Sequence, residues 1–327
     1  MISVLRTHNT SKAPGHEELS LDTLRPGSWI NIIAPTRQEL EDVARRAEVP
    51  LDFLTAATDV EELSRIDFEE QDEDSDHNAC VLMVINIPKH PESFDFDTLP
   101  LGVVITEQTF ITVCLEENSI LPGPRGGVSG FCTWKHTRFL LQILYKTAGT
   151  YLQYINEMNR MSDKIEDALR QSMKNEELFK LMDLERGMTF FMGALRSNRV
   201  AVDKLVRMLK NPQVQELIKL REEDEDLLED VIVEYDQAYD MVRVYSNVLG
   251  GMMDAFASII SNNLNIVMKF LAAVTIILSI PTVVASFWGM NVKVPLAGNP
   301  SAFSLLLLLA AGLSGGAVYW LWKRRMF

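Results

Sequence analysis

FLAAVTIILSIPTVVASFW, from Phe270 to Trp288, carries no charged residue and runs directly into GMNVKVPLAGN, Gly289 to Asn299. A second uncharged run, AFSLLLLLAAGLSGGAVYWLW, follows from Ala302 to Trp322. Each matches the ~20 apolar residues with which a helix crosses about 30 Å of hydrocarbon. Phe270, Phe287 and Trp288 mark the ends of the first, and Tyr319, Trp320 and Trp322 the end of the second, as interfacial aromatic belts do. Two transmembrane helices joined by a short loop, 289–301, are therefore predicted.

Lys323, Arg324 and Arg325 follow the second span, which places the C-terminus in the cytoplasm by the positive-inside tendency. Two spans return the N-terminal part to the same side and put the loop outside, where Lys293 opposes the rule with a single charge. MISVLRTHNTSKAPGHEELS, Met1 to Ser20, lacks the apolar core and cleavage site of a signal peptide, in keeping with a cytosolic N-terminus. The expectation is a multi-pass protein of the cell membrane, surrounded by lipid along both spans.

The chain of 327 residues has a formal net charge of −14, with its acids concentrated ahead of the spans. That argues against a nucleic-acid partner, which needs clustered Lys and Arg. It favours cations as partners, or serves solubility alone. Cys80, Cys114 and Cys132 have no metal-ligand spacing and read as buried, reduced thiols.

Residues 1–133 read as a cytosolic α/β domain. SWINIIA (Ser28–Ala34), ACVLMVINIP (Ala79–Pro88) and LGVVITEQTFITVCLE (Leu101–Glu116) are rich in Val, Ile and Thr, as strands are, the last folding into a hairpin at Glu107–Thr109. TRQELEDVARRAEVP and PLDFLTAATDVEELSR, between the first two strands, have helical spacing. Asp72–Asp76 lacks the glycine and final glutamate of a calcium loop and reads as a solvated turn, and LPGPRGG (Leu121–Gly127) as the closing loop. The domain has no phosphate-binding glycine motif and no nucleophile–base arrangement, so an enzyme is not expected.

Residues 134–263 read as a helical stalk leading to a transmembrane hairpin at 264–327. Helices are predicted over Lys135–Met173 and Asn175–Lys210, the second capped by Asn175 with Glu176 and Glu177 in its first turn. Asn211-Pro212 starts a third, which if unbroken to Trp288 is about 115 Å long at ~1.5 Å per residue. Gly250-Gly251 within it is a site of close packing or a hinge. Pro281 releases the carbonyl of Ile277 and either kinks the span or leaves it straight.

Projected at about 100° per residue, Thr275, Ser279, Thr282, Ser286, Met268, Asn265, Ser261 and Asp254 fall within an arc of roughly 100°, opposite a face of Ile276, Ile277, Ile280 and Val284. Ser and Thr in membrane helices also bond back to their own i−4 carbonyls and pack helices together. A stripe of hydroxyls continuing into an amide and an acid fits a wall facing water, and one such wall per chain needs several chains to enclose a pore. Lower on the same helix, REEDEDLLEDVIVEYDQAYD (Arg221–Asp240) holds a run of acids that either attracts cations or is a solvated face.

Gly289-Met290-Asn291 at the outer end of the first span, with the NIVMKFL run (Asn265–Leu271), Pro281 and the terminal Lys323–Arg325, resembles the CorA family of magnesium channels. The order of α/β domain, long stalk helix and two spans resembles that family over the whole chain. The resemblance implies a funnel-like homopentamer whose first spans line a central pore. Gly289, Met290 and Asn291 would form the selectivity filter, and Asn291 would contribute a ring of amide oxygens that holds Mg²⁺ with its hydration shell. Asn265, Met268, Leu271, Thr275, Ser279, Thr282 and Ser286 would line the path, with Met268 or Leu271 as its apolar constriction. Mg²⁺ would be both cargo and regulator, Co²⁺ or Ni²⁺ further permeants, and the regulatory ion would sit at carboxylates between protomers. Asp254 stands where one such acid is expected, Asp59 or Glu61 are the candidates to partner it, and Asp230 is a further regulatory carboxylate.

The sequence departs from the pattern in its outer loop, since VKVPLAGNP contains no acid. A zinc transporter resembling the ZntB branch of the superfamily is the alternative reading, although Gly-Met-Asn differs from the Gly-Ile-Asn of that branch. A membrane-anchored sensor that conducts nothing is the third; the hydroxyl stripe argues against it.

Overall fold

The structure, a computed structural model, describes residues 1–8, 15–71, 77–91, 94–122, 131–172, 175–291, 299 and 301–324. Asp72–Asp76, most of the 121–127 loop, residues 292–298 of the outer loop and Arg325 lie outside the described residues. The described chain forms two compact units, Met1–Gly250 and Gly251–Phe327.

The first unit is built on seven strands: β1 (Ile2–His8), β2 (Gly15–Leu19), β3 (Ser28–Ile33), β4 (Arg65–Glu69), β5 (Cys80–Pro88), β6 (Thr98–Ile105) and β7 (Thr109–Cys114), in the order β2-β1-β3-β7-β6-β5-β4. All neighbours are antiparallel except β3 and β7, which run parallel from Ser28↔Thr109 to Ile33↔Cys114. Every residue of β5 and β7 is buried. A strand covered on both faces reads as a continuous apolar run, and this made these strands visible in the sequence. The β6–β7 turn closes at Thr106, whose hydroxyl accepts from the N–H of Thr109 at 2.9 Å.

One face of the sheet is covered by α1 (Arg37–Ala47) and α2 (Leu51–Thr55). Thr36 caps α1 in a reciprocal box with Glu39, the Thr36 N–H donating to the Glu39 carboxylate at 2.8 Å. That bond holds the Glu39 pKa below its usual value. The helical spacing read through Ser64-Arg65 overreaches: α2 stops at Thr55, a 3-10 turn covers Ala56–Thr58, and the chain becomes strand β4. The reason is packing, because Phe53, Leu54, Ala56 and Ala57 are all buried. Ala57 lies so close to Gly102 that a Cβ there would stand 2.8 Å from it.

The other face is covered by α3 (His136–Ser172) and α4 (Asn175–Met208), the two stalk helices predicted. The indole N–H of Trp29 donates to Thr112 Oγ1 at 2.9 Å, and its ring meets Phe139 of α3 edge-on at 5.1 Å. Asn198 of α4 is fully buried; its Oδ1 accepts from Ser64 Oγ at 2.6 Å and from the Asn86 N–H at 2.8 Å, and its amide donates to Asn86 O at 2.7 Å. Tyr151 of α3 donates to the same carbonyl at 2.9 Å. Cys80 and Cys114 are buried and free, and burial pushes the Cys80 thiol up to about 12; Cys132, also free, is only half-buried.

The third long helix is not continuous. Asn211 caps α5 (Pro212–Leu217), its side chain accepting from the Gln213 N–H at 3.1 Å, but α5 ends after Leu217 and α6 (Glu222–Trp288) begins only after the four residues 218–221. Val214, Leu217 and Ile218 are buried here, and the chain leaves helical geometry at Ile218 (φ −114°, ψ 85°). Glu222, Glu223, Asp224 and Glu225 then occupy the first turn of α6, where the helix dipole favours acids. The acid run thus marks a helix start.

Helix α6 begins in the first unit and ends in the second. It passes Gly250-Gly251 and Pro281 without interruption, and a Cβ at either glycine would meet nothing within 4 Å, so close packing inside one chain does not explain the pair. The second unit consists of the remainder of α6 and α7 (Ala302–Lys323). Both helices are long and apolar enough to cross a membrane, with peak mean hydropathy 2.2 and 1.8, and their apolar windows are almost entirely exposed.

Candidate ion pathway

Within α6, Asn265, Met268, Leu271, Thr275, Ser279, Thr282 and Ser286 are all exposed on the single chain. Three hydroxyls bond back along the helix: Thr275 Oγ1 donates to Leu271 O at 2.8 Å, Ser279 Oγ to Ile276 O at 2.8 Å and Thr282 Oγ1 to Leu278 O at 3.1 Å. Such bonds satisfy each proton locally while leaving the oxygen free to accept from another donor, such as the water of a hydrated ion. The stripe is therefore stable in an apolar setting and able to contact hydrated cations. Met268 and Leu271, 60% and 64% exposed, are the large apolar side chains on or beside this arc.

The Gly289-Met290-Asn291 triplet lies immediately beyond the helix end. α6 closes at Trp288, the Gly289 N–H donates to Ala285 O at 2.9 Å, and Met290 and Asn291 follow as exposed residues outside the helix. The turn needs no left-handed backbone, since Gly27 is the only described glycine with positive φ. A Cβ at Gly289 would instead stand 3.3 Å from Ala285 O, a tight approach that glycine avoids.

The regulatory candidates are spread over both units. Asp254 is exposed on α6 in the second unit. In the first, Asp59 is exposed at the end of the 3-10 turn and accepts from the Glu61 N–H at 3.0 Å, Glu61 is exposed beside it, and Asp230 is exposed on α6. These are carboxylate oxygens open to solvent, the donor chemistry Mg²⁺ takes. Among the described residues, no three His, Cys, Asp or Glu side chains of one chain converge on a common metal position.

The acid run has partners that its own sequence does not supply. Lys135 Nζ lies 2.8 Å from Glu223, and Arg138 lies 3.5 Å from Glu223 and 3.4 Å from Asp224. The hydrogen bond from Lys135, then its charge, and then Arg138 keep the Glu223 pKa below the usual value. Arg199 of α4 pairs with Asp236 at 2.8 Å. Glu222, Glu225, Asp226, Glu229 and Asp230 stay exposed. Part of the run is thus bound to the stalk and part faces water. Periodicity on α6 cannot reveal Lys135, just ahead of α3, or Arg138 within it, which lie 88 and 86 positions earlier than their partners.

Comparison with known proteins places this arrangement among relatives. A family model described as CorA-like Mg2+ transporter protein matches residues 27–325. The chain is 26% identical over 306 residues to the cobalt/magnesium transport protein CorA of Methanocaldococcus jannaschii, covering 90% of each. The complete structure of the CorA magnesium transporter from that organism superposes with a TM-score of 0.75 at 23% identity, covering 98% of this chain and 96% of that one. The cytoplasmic domain of ZntB from Vibrio parahaemolyticus gives a TM-score of 0.54 at 13% identity, covering 80% of this chain and 96% of that one. At these identities the solved structures speak for the fold alone.

Proposed function

The chain belongs to the CorA-like Mg²⁺ transporter family, and from that premise we propose that it is a homopentameric divalent-cation channel whose α6 spans line the pore. The observation that carries this reading is the hydroxyl and amide stripe from Asn265 to Ser286, which ends at Gly289-Met290-Asn291. Five Asn291 side chains would form a ring of neutral oxygens at the outer mouth. Such a ring suits an ion that gives up its water reluctantly, because it holds the hydration shell instead of replacing it. Both termini would lie in the cytoplasm.

Closure would come from Mg²⁺ held by Asp254 with Asp59 or Glu61 of a neighbouring protomer, and by Asp230. Bound metal would offset the repulsion among these acids and favour a symmetric closed assembly; its loss would let the stalks separate. Mg²⁺ is the cargo expected, with Co²⁺ or Ni²⁺ as further permeants.

The acid-free outer loop with its Lys293 favours a second reading, a zinc transporter of ZntB type, because the mouth lacks a charge trap for divalent ions. Proteoliposomes holding the wild-type protein decide between them. Mg²⁺ uptake down its own gradient, with little Zn²⁺ uptake, supports the magnesium channel. Zn²⁺ uptake that follows a proton gradient, without Mg²⁺ uptake, overturns it.

A further inference from the structure

Val200 on α4 and Val233 on α6 are 58% and 62% exposed, although both helices bury other faces. Each valine is flanked on its own face by exposed charge at helical spacing. Arg196 and Arg207 share the face of Val200, four and seven positions away. Asp226 and Asp240 share the face of Val233, each seven positions away. Residues 196–207 carry four bases against Asp203, whereas residues 226–240 carry acids and no base. Arg199 is taken by Asp236 and Lys204 by Asp67, which leaves Arg196 and Arg207 without an acid of their own chain among the described residues. Leu63, 72% exposed, widens the α4 face, because it leads into Ser64, whose N–H donates to Ser197 Oγ at 2.8 Å.

The two stripes stand at one height. α3 and α4 run in opposite directions, with Tyr151 beside Phe191 and Met158 beside Gly187. α6 follows the direction of α3, from Arg138 beside Asp224 to Thr147 beside Tyr235, and is therefore antiparallel to α4. The Arg199–Asp236 pair fixes the level, so Val200 and Val233 lie within about one helical turn of each other along α6. Arg207 and Asp226 each lie seven positions, about 10 Å, from their valine towards the same end. Both valines are nevertheless exposed, so they face different ways and do not meet in one chain. Rotation about an axis along α6 leaves every height unchanged. It brings Val200 of one copy level with Val233 of the next, Arg207 level with Asp226, and Arg196 within a long side chain's reach of Asp240. An apolar centre with opposite charges at its rim is what a specific interface presents.

Resting on the reading that copies of this chain assemble about α6, we propose that the α4 face of Arg196, Val200 and Arg207 docks on the Asp226, Val233 and Asp240 face of α6 in a neighbouring protomer. The test is cross-linking of the full-length protein in detergent, with Cys132→Ser removing the one free thiol that is not buried. A short bifunctional thiol reagent should join Val200→Cys to Val233→Cys between chains and give a ladder on denaturing gels. Val200→Cys combined with Val248→Cys, about 22 Å further along α6, should give none. Arg207→Glu should slow the first reaction by about fivefold, and adding Asp226→Arg should restore it. Light scattering on the wild type separates the two claims: a monomer overturns the pore reading and this docking together. An oligomer in which the Val200→Cys, Val233→Cys pair stays unlinked overturns the docking alone. So does a ladder from Val233→Cys by itself, because that face would then meet its own copy.

Discussion

Arg138, in the first turn of α3, lies 3.4 Å from Asp224, in the first turn of α6, and the Asp224 side chain is only 3% exposed. An acid so buried depends on this cation, whereas Glu223 beside it is 52% exposed and is answered by Lys135 as well. The pair ties the start of α6 to α3, one of the two helices that cover the sheet.

Arg138→Ala leaves Asp224 buried without its partner and is expected to destabilise the first unit by about 2 kcal/mol. Asp224→Asn in the same background removes the stranded charge and recovers part of the loss. Thermal unfolding of the four proteins, read as a double-mutant cycle, checks this through the coupling between the two positions.

His136 introduces a pH dependence of stability. Burial lowers its pKa from 6.5 to about 4, with the backbone at Thr106 pulling weakly the other way. The unfolded chain therefore binds a proton that the folded chain refuses between these values. Stability is complete above pH ~6.5 and falls as the pH drops towards ~4, by up to about 3 kcal/mol. His136→Phe, which keeps a ring 6.0 Å from Phe110, should flatten that slope in unfolding curves measured across the window.

The back-bonded hydroxyls make the stripe testable without harming the fold. Thr282→Ser keeps both the bond to Leu278 O and the oxygen, and should conduct as the wild type does. Thr282→Leu replaces the oxygen with bulk on an exposed helix face, so assembly should persist while most of the ion flux is lost. Equal flux in the two variants would assign the stripe to packing alone.

Asp254→Asn removes the carboxylate proposed to hold the regulatory ion. Flux should then continue at internal Mg²⁺ concentrations that close the wild type, with initial rates in low internal Mg²⁺ unchanged. The check is uptake into proteoliposomes loaded over a range of internal Mg²⁺.

The parts of the fold that were legible in the sequence are those where one physical demand dominates. Two uncharged runs announced α6 and α7, and the fully buried strands β5 and β7 appeared as continuous Val and Ile. Thr36 with Glu39, and Asn211 with Pro212, marked helix starts that the structure keeps. Strand β2 escaped notice because it forms the sheet edge and GHEEL has neither alternation nor apolar content to betray it, and β1 because its apolar part, ISVL, is short and gives way to RTH. The break at Ile218 was hidden because burying one isoleucine outweighs helical propensity there. The five consecutive acids ahead of Leu227, Glu222 to Asp226, were its one available signal, as a helix N-terminus. The stripe and triplet were legible as a pattern on one helix, but Lys135 and Arg138 as partners of the acid run depend on tertiary folding that no local pattern encodes.

The central claim is that Asn291 forms the outer filter of a conducting pore. It is tested most directly by Mg²⁺ uptake into proteoliposomes carrying wild type or Asn291→Ala, followed with a Mg²⁺-sensitive dye trapped inside. The account predicts uptake by the wild type once internal Mg²⁺ is removed, and its loss in an Asn291→Ala protein that assembles and unfolds as the wild type does. Equal uptake by both proteins, or none by well-folded wild type, would contradict it.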